Sequence, residues 1–402
     1  MLDGTRSGDH SDDVMTGVRP SLWTVSGEWG RIGCIGFGGP PTHIALLRTL
    51  CVQRRKWLAE REFEDAIAAC NLLPGPASTQ LAIFCAWRVR GRIGALVGGV
   101  AFIVPGLIVI LALAALFLTG TPPTWLRGAG AGAGAAVAAV AVHAGTGLVP
   151  ASWRGTASQL RWSAYLAAGV AAAALLGPWL VLVLLGCGGV ELAVRHVHRP
   201  ARGSGLVPVL VPAKTLAAGA VAVGVLASVA WVALKVGALS YGGGFVIIPL
   251  MRGDAVDHYH WMTGGQFLNA VALGQITPGP VVQTVAVVGF AAAGLVGGVL
   301  AAVIAFTPSF VFILLGARHF DRLRGNQYVR AFLDGAGPAA IGAIFGSAMP
   351  LALTLTLPWQ FAVLGGALIL LLALRRGVVL TLLAAAAAVG AVLALAGVAI
   401  PH

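Results

Sequence analysis

The segment LPGPASTQ, residues 73–80, places two prolines inside an apolar region of the chain. Proline has no backbone N–H and clashes with the preceding helical turn, so this segment must interrupt a helix. In lipid, an interrupted helix is tolerated only where protein buries the freed backbone groups or where they line a wet cavity. A second interruption follows at Thr277-Pro278-Gly279-Pro280-Val281. The pair predicts two matching broken helices inside a membrane.

The composition indicates a membrane protein. Of the 402 residues, 58% are hydrophobic and 10% are charged, and the mean hydropathy is +0.89. A soluble protein carries about 25% charged residues, so a protein with several membrane-spanning helices is the fitting class. The net charge of +12 comes from short basic clusters between apolar runs. Such clusters are typical of cytoplasmic loops, and they do not form one dense patch that would bind nucleic acid.

The two halves of the sequence match in register. Residues 204 positions apart correspond in this way: Gly38 and Gly39 with Gly242 and Gly243, Trp57 with Trp261, Phe63 with Phe267, and Pro74, Gly75 and Pro76 with Pro278, Gly279 and Pro280. One residue is then lost, and Gly91, Gly94 and Pro105 correspond to Gly294, Gly297 and Pro308 at a separation of 203. Internal repetition of this kind is typical of transporters built from two copies of one unit.

The predicted fold is therefore an all-α polytopic membrane protein with two homologous repeats, whose broken half-helices meet near the bilayer midplane. Residues 1–20 are predicted to be a disordered tail, 21–194 the first repeat, 195–214 a basic, proline-containing linker, and 215–402 the second repeat. An inverted arrangement of the repeats is favoured because it supports alternating access. A parallel arrangement stays open, because the sequence does not fix how many spans each half contains.

Each interruption predicts an anion site. The half-helix after the first break starts at Pro76, and its first backbone N–H groups, on Ala77, Ser78, Thr79 and Gln80, would have no intrahelical partner. They lie at the positive end of the helix dipole, where anions bind. The substrate-binding residues predicted at the two breaks and at the glycine pairs are Gly38, Gly39, Pro74, Gly75, Pro76, Ser78, Thr79, Gln80, Gly242, Gly243, Thr277, Pro278, Gly279, Pro280, Gln283 and Thr284. The alternative is that each break is only a kink packed by its neighbours.

Two cations in apolar segments are further candidates. Arg31 and Lys235 occupy the same position of the two repeats, seven residues before the matching glycines. A charge at membrane depth costs several kcal/mol unless it is paired or solvated. We expect the pair to attract or bind the anion, although each side chain could instead reach the membrane surface or, for Arg31, pair with Glu28.

The remaining candidates carry protons or charge. His43 follows the first glycine break and, with Glu28, is a candidate for proton coupling, while a structural hydrogen bond is the alternative for His43. Arg127 and Asp334 occupy matching positions and are candidates for a salt bridge between helices. The five cysteines lack metal-ligand spacing and no phosphate-binding loop occurs, so neither a metal, a cofactor nor ATP drive is predicted.

The ordered motifs resemble those of the chromate transporter family. The residues that carry the resemblance are Phe37-Gly38-Gly39-Pro40-Pro41-Thr42-His43-Ile44, Arg54-Arg55-Lys56-Trp57-Leu58, 73–81, Tyr241-Gly242-Gly243-Gly244-Phe245 and Pro278-Gly279-Pro280. The sequence departs from the expected pattern at Asn71, where glutamine is usual. Val281-Val282 also replaces Ala77-Ser78 in the second copy, so the two half-sites need not be equivalent. The resemblance covers residues 22–400.

The resemblance implies a multi-pass protein of the inner membrane that exports chromate, driven by the proton gradient or by exchange against another anion. Sulfate or another divalent oxyanion is the alternative substrate, because it shares charge and tetrahedral shape with chromate. An intramembrane enzyme that acts on a lipid phosphate, and a scaffold without transport activity, are hypotheses of other classes. The enzyme would need an acid, base or nucleophile cluster that the sequence does not display. The partners expected are the anion and the lipid bilayer, and the sequence leaves open whether the chain forms a homodimer.

Overall fold

The computed structural model describes residues 20–73, 75–118, 122–156, 158–175, 180–197, 221–240, 247–317, 326–374 and 379–401. Within these ranges the regular structure is helical, which confirms the all-α prediction. The predicted N-terminal tail, most of the predicted linker, and the candidate site residues Pro74, Gly242 and Gly243 lie outside the described residues. The domain boundaries proposed from the sequence stay predictions.

Fourteen α-helices occupy the described residues, seven in each half of the chain. In the first half these are α1 (Leu22–Ile35), α2 (Pro40–Arg48), α3 (Glu60–Leu72), α4 (Ala77–Leu118), α5 (Thr124–Arg154), α6 (Gln159–Leu175) and α7 (Leu180–Val197). In the second half they are α8 (Val221–Leu239), α9 (Ile247–Arg252), α10 (Gly264–Ile276), α11 (Thr284–Gly316), α12 (Gln327–Leu353), α13 (Pro358–Ala373) and α14 (Val379–Leu395).

The backbone geometry of the first half of the chain recurs in the second half, as the sequence motifs do. The helices α2 and α9 each end in a wider π-helical turn, at Thr49–Arg54 and Gly253–His258, again 204 residues apart. Both α4 and α11 leave helical geometry for two residues, at Arg90-Gly91 and Ala293-Gly294, with almost the same dihedral angles in the two copies. This agreement confirms that the chain contains two copies of one seven-helix unit.

Several helices are long and apolar enough to cross a bilayer. By length and composition these are Ala77–Leu118, Thr124–Arg154, Val281–Gly316 and Gln327–Leu353, and shorter apolar helices cover Gly224–Leu239, Pro358–Ala373 and Val379–Leu395. The multi-pass prediction is thereby supported. Whether the two repeats are inverted across the bilayer stays a prediction.

The two repeats are intertwined. The helices α1 and α8 pack along α4 and α11 of their own repeat, and α4 packs on α11 across the two repeats. In contrast, α5 packs on α13 and α14 of the second repeat, while α12 packs on α6 and α7 of the first. Glycine permits this packing between helices of different repeats, because Gly132 touches the backbone of Ala386 and Gly169 touches that of Ala339. Close packing through small residues is the usual way in which membrane helices associate.

Candidate functional site

The two proline-glycine-proline breaks are each held by the opposite repeat. The backbone N–H of Gly75 donates to the carbonyl of Ser240 at 2.8 Å, and the N–H of Gly279 donates to the carbonyl of Gly36 at 3.0 Å. Ser240 and Gly36 are themselves 204 residues apart, so the two bonds are a matched pair. Both glycines have positive φ, +119° for Gly75 and +101° for Gly279, a conformation that favours glycine.

His43 joins the two breaks. Its ring is fully buried, with Nε2 2.9 Å from the carbonyl oxygen of Gly36 and Nδ1 3.2 Å from the hydroxyl of Ser78. A carbonyl oxygen can only accept, so Nε2 carries the proton and Nδ1 of a neutral ring accepts from Ser78. Because Gly36 also receives the N–H of Gly279, an unbroken chain of hydrogen bonds runs from Ser78 in the first break to the second break.

The start of each half-helix offers fewer free donors than the sequence predicted. The carbonyl of Pro76 accepts the N–H groups of Thr79 at 2.9 Å and Gln80 at 3.0 Å, so these two are not open to a ligand. In the second copy, the carbonyl of Pro280 accepts the N–H of Gln283 in the same way. The N–H groups that remain at the tips are therefore the first two of each half-helix, on residues 77 and 78 and on residues 281 and 282.

Unpaired hydroxyl groups surround the first break. The hydroxyls of Thr79, Ser240 and Ser309 are fully buried, and each has no hydrogen-bond partner among the described residues. Ser309 lies so close to the break that a Cβ on Gly75 would come within 3.3 Å of its oxygen. A buried hydroxyl without a partner costs roughly 1–3 kcal/mol, so a cluster of them indicates that something else supplies the partner.

The second break has a different lining. Gln283 donates from Nε2 to the carbonyl of Ile103 at 2.7 Å, and its other amide atom, Oε1, has no partner among the described residues. The hydroxyls of Thr277 and Thr284 donate to backbone carbonyls one turn back, so they are not free to bind an anion as the sequence suggested. Gly106 of α4 sits directly under this break, against the carbonyl of Pro278.

The first glycine pair also reaches the second break. Gly38 and Gly39 have φ of +96° and +75°, as expected for a tight interruption. A Cβ on Gly39 would lie 3.7 Å from Cγ2 of Val281, the first residue after the second proline-glycine-proline segment. The structure therefore brings together one glycine pair, both breaks and His43.

The two predicted cations each have an acidic partner in the structure, and their role in binding the anion stays a prediction. The side chain of Arg31 is 56% exposed and has Glu28 as its partner, at 3.9 Å. Lys235 is engaged by Asp254, whose two carboxylate oxygens lie 2.8 and 2.6 Å from Nζ. The sequence showed no acid on the helix of Lys235, and the acid comes instead from the turn that follows α9.

The other charged candidates are also engaged elsewhere. Glu28 binds Arg54 and Arg55, in addition to Arg31, within an exposed basic cluster. Asp334 binds Arg195 at 2.6 Å, while the guanidinium of Arg127 reaches the carbonyl of Pro401. The salt bridge considered between Arg127 and Asp334 is therefore not formed. Among the residues that the structure describes, no group of His, Cys, Asp and Glu side chains has the arrangement of a metal site.

Sequence reasoning missed Ser240 and Ser309. Both follow from comparing the two repeats, because each serine replaces a glycine of the first copy, Gly36 and Gly106 respectively. A hydroxyl that appears in place of glycine beside a helix break was the available signal.

This protein has two intertwined repeats, and their interrupted helices meet at a shared polar centre. That arrangement is typical of membrane transporters built from internal repeats. Comparison with known proteins agrees. The family model described as "Chromate transporter" matches residues 23–191 and 227–399, which are the two repeats. The chain belongs to the chromate transporter family.

The curated relatives are similar over most of their length. The chromate transport protein of Cupriavidus metallidurans is 31% identical over 333 residues, which cover 80% of each chain. The probable chromate transport protein of Synechococcus elongatus is 29% identical over 354 residues, 84% of this chain and 87% of that protein. The chromate transport protein of Pseudomonas aeruginosa is 29% identical, over 80% of this chain and 79% of that protein. No solved structure matches. These relatives confirm the interpretation as a membrane transport protein rather than an enzyme.

Proposed function

We propose that this protein is a secondary transporter that exports chromate, with sulfate or another divalent oxyanion as the alternative cargo. The observation that carries the proposal is the cluster of buried hydroxyls of Thr79, Ser240 and Ser309 around the first break, which have no hydrogen-bond partner in the described part of the chain. An oxyanion has acceptor atoms on every side, so it satisfies several inward-facing donors at once. The names of the curated relatives favour chromate among the oxyanions.

In this proposal the anion binds at the first break. The N–H groups of Ala77 and Ser78 supply the positive end of a helix dipole, and the free hydroxyls supply neutral donors. His43 holds Ser78 in place and connects the site to the second break through Gly36. Energy would come from the proton gradient or from exchange against another anion, and Lys235 with Asp254 would keep the membrane interior electrically balanced rather than contact the cargo.

Transport into proteoliposomes tests the substrate and the energy source together. The purified protein should take up labelled chromate, and an excess of sulfate should compete if the site distinguishes the two anions only by size. Collapse of a pH gradient by an uncoupler should abolish uptake if protons drive it, whereas trapped sulfate or chromate should restore uptake if exchange drives it. Absence of uptake under every one of these conditions would contradict the proposal.

The position of the site is tested by removing hydroxyls one at a time. Thr79→Val and Ser309→Ala should each raise KM for chromate about three- to tenfold, since one hydrogen bond contributes roughly 0.5–1.5 kcal/mol. Ser347→Ala is the matched control, because the Ser347 hydroxyl is equally buried but donates to the carbonyl of Ile344 in its own helix. Equal kinetics for all three variants would remove the first break from the binding site.

A further inference from the structure

A cavity of about 350 Å³ lies beside the first break. Its walls come from the end of α5, from α12 between Arg330 and Ile344, and from the end of α3, where Asn71 lies three residues before Pro74. The residues of its lining that matter here are Asn71, Ala151, Arg330, Asp334, Gly337 and Ile341. The cavity is therefore lined by both repeats, and Asn71 links it to the first break.

The charge of this cavity favours an anion. Arg330 is exposed in its wall, and no acid lies within ion-pair distance of it among the described residues. The carboxylate of Asp334, which would repel an anion, is neutralised by Arg195 at 2.6 Å. Arg195 in turn binds Glu191, which also accepts from Arg161. Among the described residues that line the cavity or pair with its lining, the charges of Arg161, Glu191, Arg195 and Asp334 balance, and Arg330 adds one positive charge.

The matching position beside the second break is closed. The sequence of α5 around Gly130 and Gly134 corresponds to that of α12 around Gly337 and Ile341, at the separation of 207 residues that also relates Arg127 to Asp334. A Cβ on Gly130 would lie 3.2 Å from Oδ1 of Asn269, and a Cβ on Gly134 would lie 3.3 Å from the same atom. The helix α10 thus lies directly on α5, whereas its counterpart α3 barely touches α12.

The side chains that end α3 and α10 report the same difference. Asn71 is exposed in the cavity, while its counterpart Gln275, 204 residues later, is only 9% exposed. Ile276, the next residue, packs against the buried apolar cluster that α5, α13 and α14 form. The helices α3 and α12 are therefore held apart, whereas the equivalent pair, α10 and α5, is packed together.

We propose that this cavity is the vestibule through which a small dianion reaches the first break, and that its closed counterpart beside α10 is the other access route. This inference rests on the proposed transport function. The structure then represents a state in which only the route beside α3 is open. If α3 packed on α12 and α10 moved away from α5, the route beside α3 would close and the route beside α10 would open. Arg330 is the residue that attracts the anion at the mouth.

The test uses two cysteines at matched positions, Asn71→Cys and Gln275→Cys, each in a Cys34→Ala background because Cys34 is the exposed native cysteine. The purified full-length protein in detergent is treated with a sulfonate-bearing and a trimethylammonium-bearing methanethiosulfonate reagent of similar size. We expect the Asn71→Cys thiol to react at least tenfold faster than the Gln275→Cys thiol. It should also prefer the sulfonate reagent, and Arg330→Ala should reduce that preference about fivefold, whereas Arg330→Lys should retain it.

A bulky residue gives the second measurement. Ala151→Trp should fill the cavity and suppress both chromate uptake and labelling of the Asn71→Cys thiol. Gly147→Trp is the control, because a side chain at Gly147 meets nothing within 4 Å and the residue does not line the cavity. Equal labelling of the two cysteines would overturn the vestibule while leaving chromate transport standing. Labelling that follows this pattern in a protein that moves no chromate would support the vestibule and contradict the substrate.

Discussion

The two breaks share a backbone but differ in their side chains. Both have a glycine at positive φ, both donate one N–H to the opposite repeat, and both follow a short helix of thirteen residues, α3 or α10. Around the first break stand four hydroxyls, on Ser78, Thr79, Ser240 and Ser309. The equivalent positions around the second break are Val282, Gln283, Gly36 and Gly106.

This difference separates what builds the fold from what selects the cargo. Both copies need the backbone hydrogen bond to the opposite repeat, because it satisfies an N–H group that the break leaves without a partner in its own helix. The four hydroxyls surround one break only, so they are not required for the interruption itself. We infer that the first break retains the polar chemistry and that the second supports it, with His43 as the link between them.

The largest effect is expected from Gly75→Leu, which should abolish transport. A Cβ at this position would lie 2.5 Å from Nε2 of Gln80 and 3.3 Å from Oγ of Ser309, so the leucine side chain would occupy the anion site. Gly91→Leu is the control for backbone strain, because Gly91 also has positive φ, +64°, but has open space around it. Chromate uptake per folded molecule is the measurement, and full activity of Gly75→Leu would remove the first break from the mechanism.

The sequence predicted the breaks, the glycine pairs and the register of the two repeats, because proline and glycine act on the backbone locally. It could not predict which donors are free, because that depends on contacts between distant parts of the chain. Asp254 reaches Lys235 because α9 packs against α8, and the carbonyl of Pro76 accepts N–H groups that a sequence pattern alone leaves unpaired. Ser309 joins the site only because α11 packs across the first break.

Lys235 and Arg31, which occupy matching positions, allow the two repeats to be compared by the stability that each cation contributes. Lys235→Ala leaves the carboxylate of Asp254 buried and unpaired, and loss of one partner of a buried pair costs about 3–5 kcal/mol. Arg31→Ala should cost less than about 1 kcal/mol, because Arg31 is largely exposed. The thermal midpoint of the purified protein in detergent should fall strongly for the first variant and little for the second.

A double variant separates loss of the ion pair from loss of a binding residue. Lys235→Met with Asp254→Leu removes both charges and places leucine where the first repeat has Leu50, which is buried and apolar. The thermal midpoint should return towards that of the wild type, and chromate uptake should return with it. A stable double variant that transports no chromate would show that Lys235 or Asp254 acts on the anion directly.

The smallest effect on transport is expected when the first break is given the side chains of the second break. His43→Ile with Ser78→Val introduces the residues found at Ile247 and Val282, which are fully buried in the same backbone setting, so the variant should fold. It removes the link from Ser78 to Gly36 while Gly36 still accepts from Gly279. Loss of about two hydrogen bonds predicts roughly tenfold lower kcat/KM for chromate. Because Gly36 keeps one partner and Ser78 is replaced rather than stranded, this loss should be smaller than that of His43→Ile alone, which leaves the Ser78 hydroxyl buried and unpaired. Wild-type kinetics in the double variant would show that the polar link distinguishing the two repeats has no part in transport.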